Sequence, residues 1–188
     1  MEFNYKEFSE NNVSLDKDVF EYGTKILNRY LKFLSLTLVF SIILCSVFEL
    51  ILFLMFFMPI RRYIGGLHLN DSKMCLIASF SISLLVSCIA QNINVSDIVF
   101  SILFICLTLL IYYFAPVDHP NKKISNIETK IYKFTALKIS FIYLLVYFLF
   151  AYLRFKSICN VIFLVVSLCI FLLAIPILKK KYILWRCL

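Results

Sequence analysis

Five apolar runs long enough, or nearly long enough, to cross a bilayer dominate this chain: Leu31 to Ile60, Met74 to Ala90, Ile98 to Ala115, Ile139 to Leu153 with its flanks, and Ser157 to Leu178. A hydrocarbon core about 30 Å thick is spanned by about 20 helical residues and offers no water to satisfy a free amide or carbonyl. The runs therefore predict an all-α, polytopic integral membrane bundle of about five to six hydrophobic helices. Composition agrees, since 62% hydrophobic and 16% charged residues cannot give 188 residues a wet surface. The first run is unusually long. Its 30 residues would reach about 45 Å as one helix, so it must tilt, protrude or fold back.

Ahead of it, residues from about Val13 to Lys32 are two-sided. Val19, Phe20, Ile26, Leu27, Tyr30 and Leu31 share one stripe, with Asp16, Lys17, Asp18, Glu21, Lys25, Asn28, Arg29 and Lys32 opposite. That pattern predicts an amphipathic interfacial helix, and it divides the chain into an N-terminal helix over 1–32 and a transmembrane part over 33–188. The start of the chain lacks the basic segment and short apolar core of a secretory signal, so nothing reads as cleaved. Internal repeats and low-complexity segments are absent.

The formal charge of +8 would suggest nucleic acid in a polar protein, but here Lys and Arg fall in the gaps and the tail. With five single crossings, the gap Arg61 to Cys75, the loop Pro116 to Lys138 and the C-terminal tail share one side, with 3, 5 and 4 bases respectively. The positive-inside rule makes that side cytoplasmic and makes anionic lipid, not nucleic acid, the partner of the charge. An odd number of crossings puts the N-terminal helix outside, whereas Lys25, Arg29 and Lys32 favour the inside. A re-entrant fold in Leu31 to Ile60 or in the gap would remove the conflict.

The gap itself, Arg61-Arg62-Tyr63-Ile64-Gly65-Gly66-Leu67-His68-Leu69-Asn70-Asp71-Ser72-Lys73-Met74-Cys75, gathers bases, paired glycines, a histidine and a cysteine between two apolar runs. A cysteine attacks as its thiolate and needs a base for the proton and a positive setting for the anion. On one continuous helix His68 and Cys75 would lie about 10 Å apart along the axis, too far for direct proton transfer, so the segment must bend. Gly65-Gly66 supplies freedom before the histidine, and Asn70, Asp71 and Ser72 are good N-cap residues ahead of the next run. A helix starting there holds Cys75 near its first turn, where exposed amides, the helix dipole, Lys73, Arg61 and Arg62 favour an anion at the sulfur. Spacing alone leaves a plain alternative, a packing cysteine beside a polar turn. Cys45, Cys88, Cys106, Cys159 and Cys169 lie inside apolar runs and read as small packing residues, and no cysteine pair has metal-ligand spacing.

Arg61 to Cys75, set between two long apolar runs, resembles the signature of the AgrB family, membrane cysteine endopeptidases that mature autoinducing peptides. The order basic pair, small-residue turn, His, six residues, Cys is matched in full. Tyr113-Phe114-Ala115-Pro116, followed by Asp118, Asn121-Lys122-Lys123 and Ile124, is similar to the family's alanine-proline turn and basic loop. The resemblance implies that the transmembrane part is the catalytic domain. In it the Cys75 thiolate, generated by His68, cleaves an AgrD-like propeptide at the inner face of the cell membrane. An acyl-enzyme then closes to a thiolactone or lactone. Arg61 and Arg62 suit the acidic leaving segment, since guanidinium groups bind carboxylates in a forked geometry, although either could be an ordinary charge anchor. No metal or cofactor is implied, and a homodimer is left open.

A third catalytic member is harder to name. Asp71 could orient the imidazole but would be occupied as an N-cap. Glu49 reads as a mid-span carboxylate, costly in lipid and so a mark of function or of a buried partner. It lies about 18 Å from Arg61 along a helix. His119, in Asp118-His119-Pro120, reads as a loop residue. The rival reading is a non-enzymatic transport subunit or assembly factor, which calls for more intramembrane charge and duplicated halves. A lipid or isoprenoid transferase calls for an acidic metal cluster that the sequence lacks.

Overall fold

The computed structural model describes residues 17–65, 72–116 and 125–186. They form six helices: α1 (Lys17–Ile43), α2 (Val47–Ile64), α3 (Ser72–Asn92), α4 (Asp97–Phe114), α5 (Asn126–Tyr152) and α6 (Lys156–Arg186), with no strand among the described residues. Five ranges, Phe20–Ile43, Met74–Asn92, Asp97–Phe114, Asn126–Tyr152 and Lys156–Pro176, are long and apolar enough to cross a membrane. α2 carries Glu49, Arg61 and Arg62 within 18 residues, yet at about 1.5 Å per residue it too reaches about 27 Å.

The long first run folds back. α1 ends at Ile43, and the Cys45 amide bonds to the Ile42 carbonyl at 3.1 Å while the Ser46 amide reaches the Ser41 carbonyl at 2.9 Å. Those two bonds are the Schellman pattern, in which the residue past the cap turns left-handed; Cys45 does so at φ 51°. α5 ends the same way, with Arg154 at φ 63° and bonds from the Arg154 amide to Ala151 and from the Phe155 amide to Phe150. Ser125 opens α5 with a capping box, its side chain taking the Glu128 amide while the Glu128 carboxylate takes the Ser125 amide at 2.9 Å.

Two sequence expectations change. Glu49 is not in mid-span: the chain has just turned at Cys45, so Glu49 stands in the first turn of α2 at one end of the bundle. α1 runs unbroken through position 32, so the amphipathic segment and the start of the apolar run are one helix. Fourteen residues back from Ile43 is Arg29 and fourteen on from Val47 is Arg61, each about 21 Å from the turn. The bases of α1 therefore lie at the same end of the bundle as Arg61, and the conflict left by five crossings disappears.

α6 is the axis of the bundle, touching α2, α3, α4 and α5. Half of its apolar span is buried against other helices, compared with 11% for α1, whose main contacts among the described residues are with α2 and α3. Lipid is as apolar as leucine, so this packing rests on close fit and polar contacts. Tyr147 stacks on Phe100 with ring centroids 3.5 Å apart and bonds Asp97 Oδ1 at 3.0 Å, fastening α5 to α4. Tyr143 donates to the Phe56 carbonyl of α2. Asn160 Nδ2 reaches the Ala90 and Ile93 carbonyls, both at 2.8 Å, and so caps the open C-terminal end of α3 from α6.

Candidate functional site

α2 carries its apolar face down to Ile60 and Ile64, both fully buried, and delivers the basic pair at its last turn. Two adjacent helical residues point about 100° apart, so the pair cannot do one job. Arg61 is half-buried. Its guanidinium donates to the Gly65 carbonyl. Arg62 faces out, 6.0 Å from the Tyr63 ring, which meets Tyr132 of α5 edge-on at 5.6 Å. Gly65 closes the helix at φ 69° and ψ −140°, a conformation open to glycine because it has no Cβ.

α3 opens at Ser72, so Cys75 lies in its first turn, partly buried and with a free thiol. Helix start, sulfur and guanidinium are thus gathered at the basic end of the bundle. Of the other expected site residues, Gly66, His68 and Asp71 lie outside the described residues, as does His119. Lys73 is placed by its backbone in the first turn of α3.

Glu49 is at the opposite end. It is buried, and its Oε2 accepts from Gln91 Nε2 at 3.3 Å, while the same amide reaches the Cys45 carbonyl at 2.7 Å. Those bonds tie the α1–α2 turn to the end of α3, the structural pairing that sequence offered as one of two roles for this residue. Gln91 itself was missed. Its signal was spacing, because Cys75, Ser79, Ser83, Ser87 and Gln91 recur every four residues along one face of α3. Ser87 Oγ meets Ser46 Oγ at 3.2 Å, and the Ser79 and Ser83 hydroxyls bond back to carbonyls one turn earlier, so the seam carries no orphaned polar group. Cys169 was read as packing and is fully buried. Among the described residues no three His, Cys, Asp or Glu side chains converge to hold a metal.

Known proteins give the arrangement a context. The family model described as accessory gene regulator B matches residues 4–173. A protein of Clostridium perfringens named as AgrB-like protein 2 is 28% identical over 149 residues, 75% of this chain and 70% of its own length. A second protein of that species, named as AgrB-like, is 28% identical over 138 residues, 69% of this chain and 64% of its own length. No solved structure matches.

Proposed function

The chain belongs to the accessory gene regulator B family, and on that premise we propose that it is a membrane-embedded cysteine endopeptidase acting on a quorum-sensing, AgrD-like propeptide. The observation that carries this reading is the placement of Cys75 in the first turn of α3, at the end of the bundle where α2 delivers Arg61 and Arg62. A helix start and a fixed cation both attract the negative charge that a nucleophilic sulfur must carry.

His68 takes the thiol proton as Cys75 Sγ attacks the scissile carbonyl carbon, and the same imidazole returns that proton to the leaving amine. The propeptide's C-terminal segment departs, leaving a thioester on Cys75. A cysteine or serine within the remaining peptide then attacks the thioester, its proton passes to Cys75 by way of His68, and a thiolactone or lactone ring is released. The ring closes only if the acyl carbon meets that internal nucleophile before water does. A site at the membrane face, with part of the bundle above it, restricts that water.

The two arginines take different parts. Arg61, turned inward onto Gly65, holds the glycine turn and supplies positive charge at the sulfur's end of the bundle. Arg62, exposed, meets the acidic leaving segment. The motif faces the cytoplasm, because Lys25, Arg29 and Lys32 join Arg61, Arg62 and the α5 lysines at one end, whereas Arg154 and Lys156 stand at the other.

Cys75→Ala, Cys75→Ser and His68→Ala are each expected to abolish release of the cyclic product from a cognate propeptide co-expressed in the membrane, with membrane levels unchanged. Full processing by either alanine variant would overturn the reading.

A further inference from the structure

Pro59 stands inside α2, two residues before Arg61 and six before Gly65. A proline in a helix offers no amide to the carbonyl four residues back, here that of Met55, and its ring crowds the same carbonyl. One rung of the helix is missing, and the helix bends more easily at that level than elsewhere. Beyond this joint lies the whole basic turn, Arg61, Arg62 and Tyr63, with the glycine that ends α2. Ile60 and Ile64 bury that turn, but apolar contact is non-directional and sets no particular bend.

The side chain that reaches the joint belongs to α5. Tyr143 is buried, its ring meets the Phe56 ring edge-on at 5.2 Å, and its hydroxyl donates to the Phe56 carbonyl, three residues before the proline. Gln91 and Asn160 also donate to main-chain carbonyls across the bundle, but theirs lie at the turn after α1 and at the end of α3, where helix termini leave carbonyls open. Phe56 is in the body of α2, where no terminus calls for such a donor. What the two places share is a gap in the helical ladder, made at Phe56 by Pro59, and side chains of neighbouring helices are what make a proline tolerable in a membrane helix.

We infer, on the cysteine endopeptidase reading, that Tyr143 is a positioning residue: by holding the Phe56 carbonyl it sets the bend at Pro59 and so aims the last turn of α2. Gly65 is about 9 Å along the axis from Pro59, so a change of about 20° in the bend carries it about 3 Å. From Gly65 the chain has only three residues to His68. Where reacting groups must meet, a displacement of about 1 Å costs up to about a hundredfold in rate.

Tyr143→Phe keeps the ring and removes only the hydroxyl, which frees the bend without forbidding the right one. In proteoliposomes it is expected to lower kcat for a cognate propeptide about tenfold and to leave KM within about twofold. In a Pro59→Ala background, where the missing amide is restored, the same change should lower kcat less than about twofold. Full kcat in Tyr143→Phe, an equal loss in both backgrounds, or a loss confined to KM would each overturn the inference. A second measurement needs no activity. Spin labels at Phe48→Cys and Arg62→Cys, both exposed, bracket the joint about 21 Å apart along the axis in a chain whose native cysteines are replaced. Tyr143→Phe should broaden the distribution of distances between them, and Pro59→Ala should narrow it again. An unchanged distribution overturns the brace whatever the chain's activity, whereas broadening in a protein that cuts no propeptide supports the brace and counts against the endopeptidase reading.

Discussion

Arg61 and Arg62 are neighbours in sequence with opposite surroundings, so their substitution should separate two kinds of defect. Removing a charged donor from a half-buried carbonyl costs about 1.5–3 kcal/mol, and here that carbonyl belongs to Gly65, which ends α2 three residues before His68 in sequence. Arg61→Gln is therefore expected to lower kcat by about ten- to a hundredfold, since it disturbs where the imidazole can stand relative to Cys75. Arg61→Lys should recover little, because a single ammonium lacks the planar fork. At Arg62 the cation is solvated, and an exposed ion pair contributes up to about 1 kcal/mol. Arg62→Gln should raise KM for an acidic propeptide by about fivefold at most, leave kcat alone, and lose its effect in high salt. Steady-state processing in proteoliposomes, read at two salt concentrations, distinguishes the pair. A salt-sensitive KM defect at Arg61, or a kcat defect at Arg62, would reverse the roles given to them.

The helices were readable from apolar length, but the joint that splits the first run was not, and the reason is local. A chain usually turns left-handed on glycine, and this one does so on Cys45 and Arg154, residues that signal nothing of the kind in sequence. The start of α3 at Ser72 does fall where the cap-type residues Asn70-Asp71-Ser72 had placed it in sequence. Arg154 is exposed and its backbone sits where L residues are strained, so Arg154→Gly should raise stability by about 0.5–1 kcal/mol once glycine's greater freedom in the unfolded chain is set against the relief. Asn160→Leu goes the other way. It strips the Ala90 and Ile93 carbonyls of one shared donor, and with interhelical bonds in membranes averaging about 0.6 kcal/mol each it should cost about 1–2 kcal/mol. Thermal unfolding in detergent is expected to rank the glycine variant above the parent and the leucine variant below it. The opposite order would mean that neither end controls the packing of the bundle.

At the scale of the molecule, five single crossings would put the amphipathic helix on the side away from Arg61 while its own bases, Lys25, Arg29 and Lys32, favoured the opposite placement, and a fold-back within Leu31 to Ile60 was one of two ways to reconcile them. The turn at Cys45 supplies the missing reversal, so six traverses bring Lys25 and Arg29 to the end that holds Arg61 and the start of α5. Five and six crossings differ in one accessible observable, the side from which α1 begins. In a background whose native cysteines are replaced, Lys25→Cys and Arg62→Cys should both be sheltered from a membrane-impermeant thiol reagent added to intact cells and both react once the cells are opened. Arg154→Cys should react from outside at once. Labelling of Lys25→Cys from outside, with Arg62→Cys still sheltered, would require an odd number of crossings and so a different path for Leu31 to Ile60. On the proposed function and a six-crossing path, a substrate helix lying along the cytoplasmic face would meet α1, Arg62 and Cys75 on a single surface, without crossing the bilayer before its bond is cut.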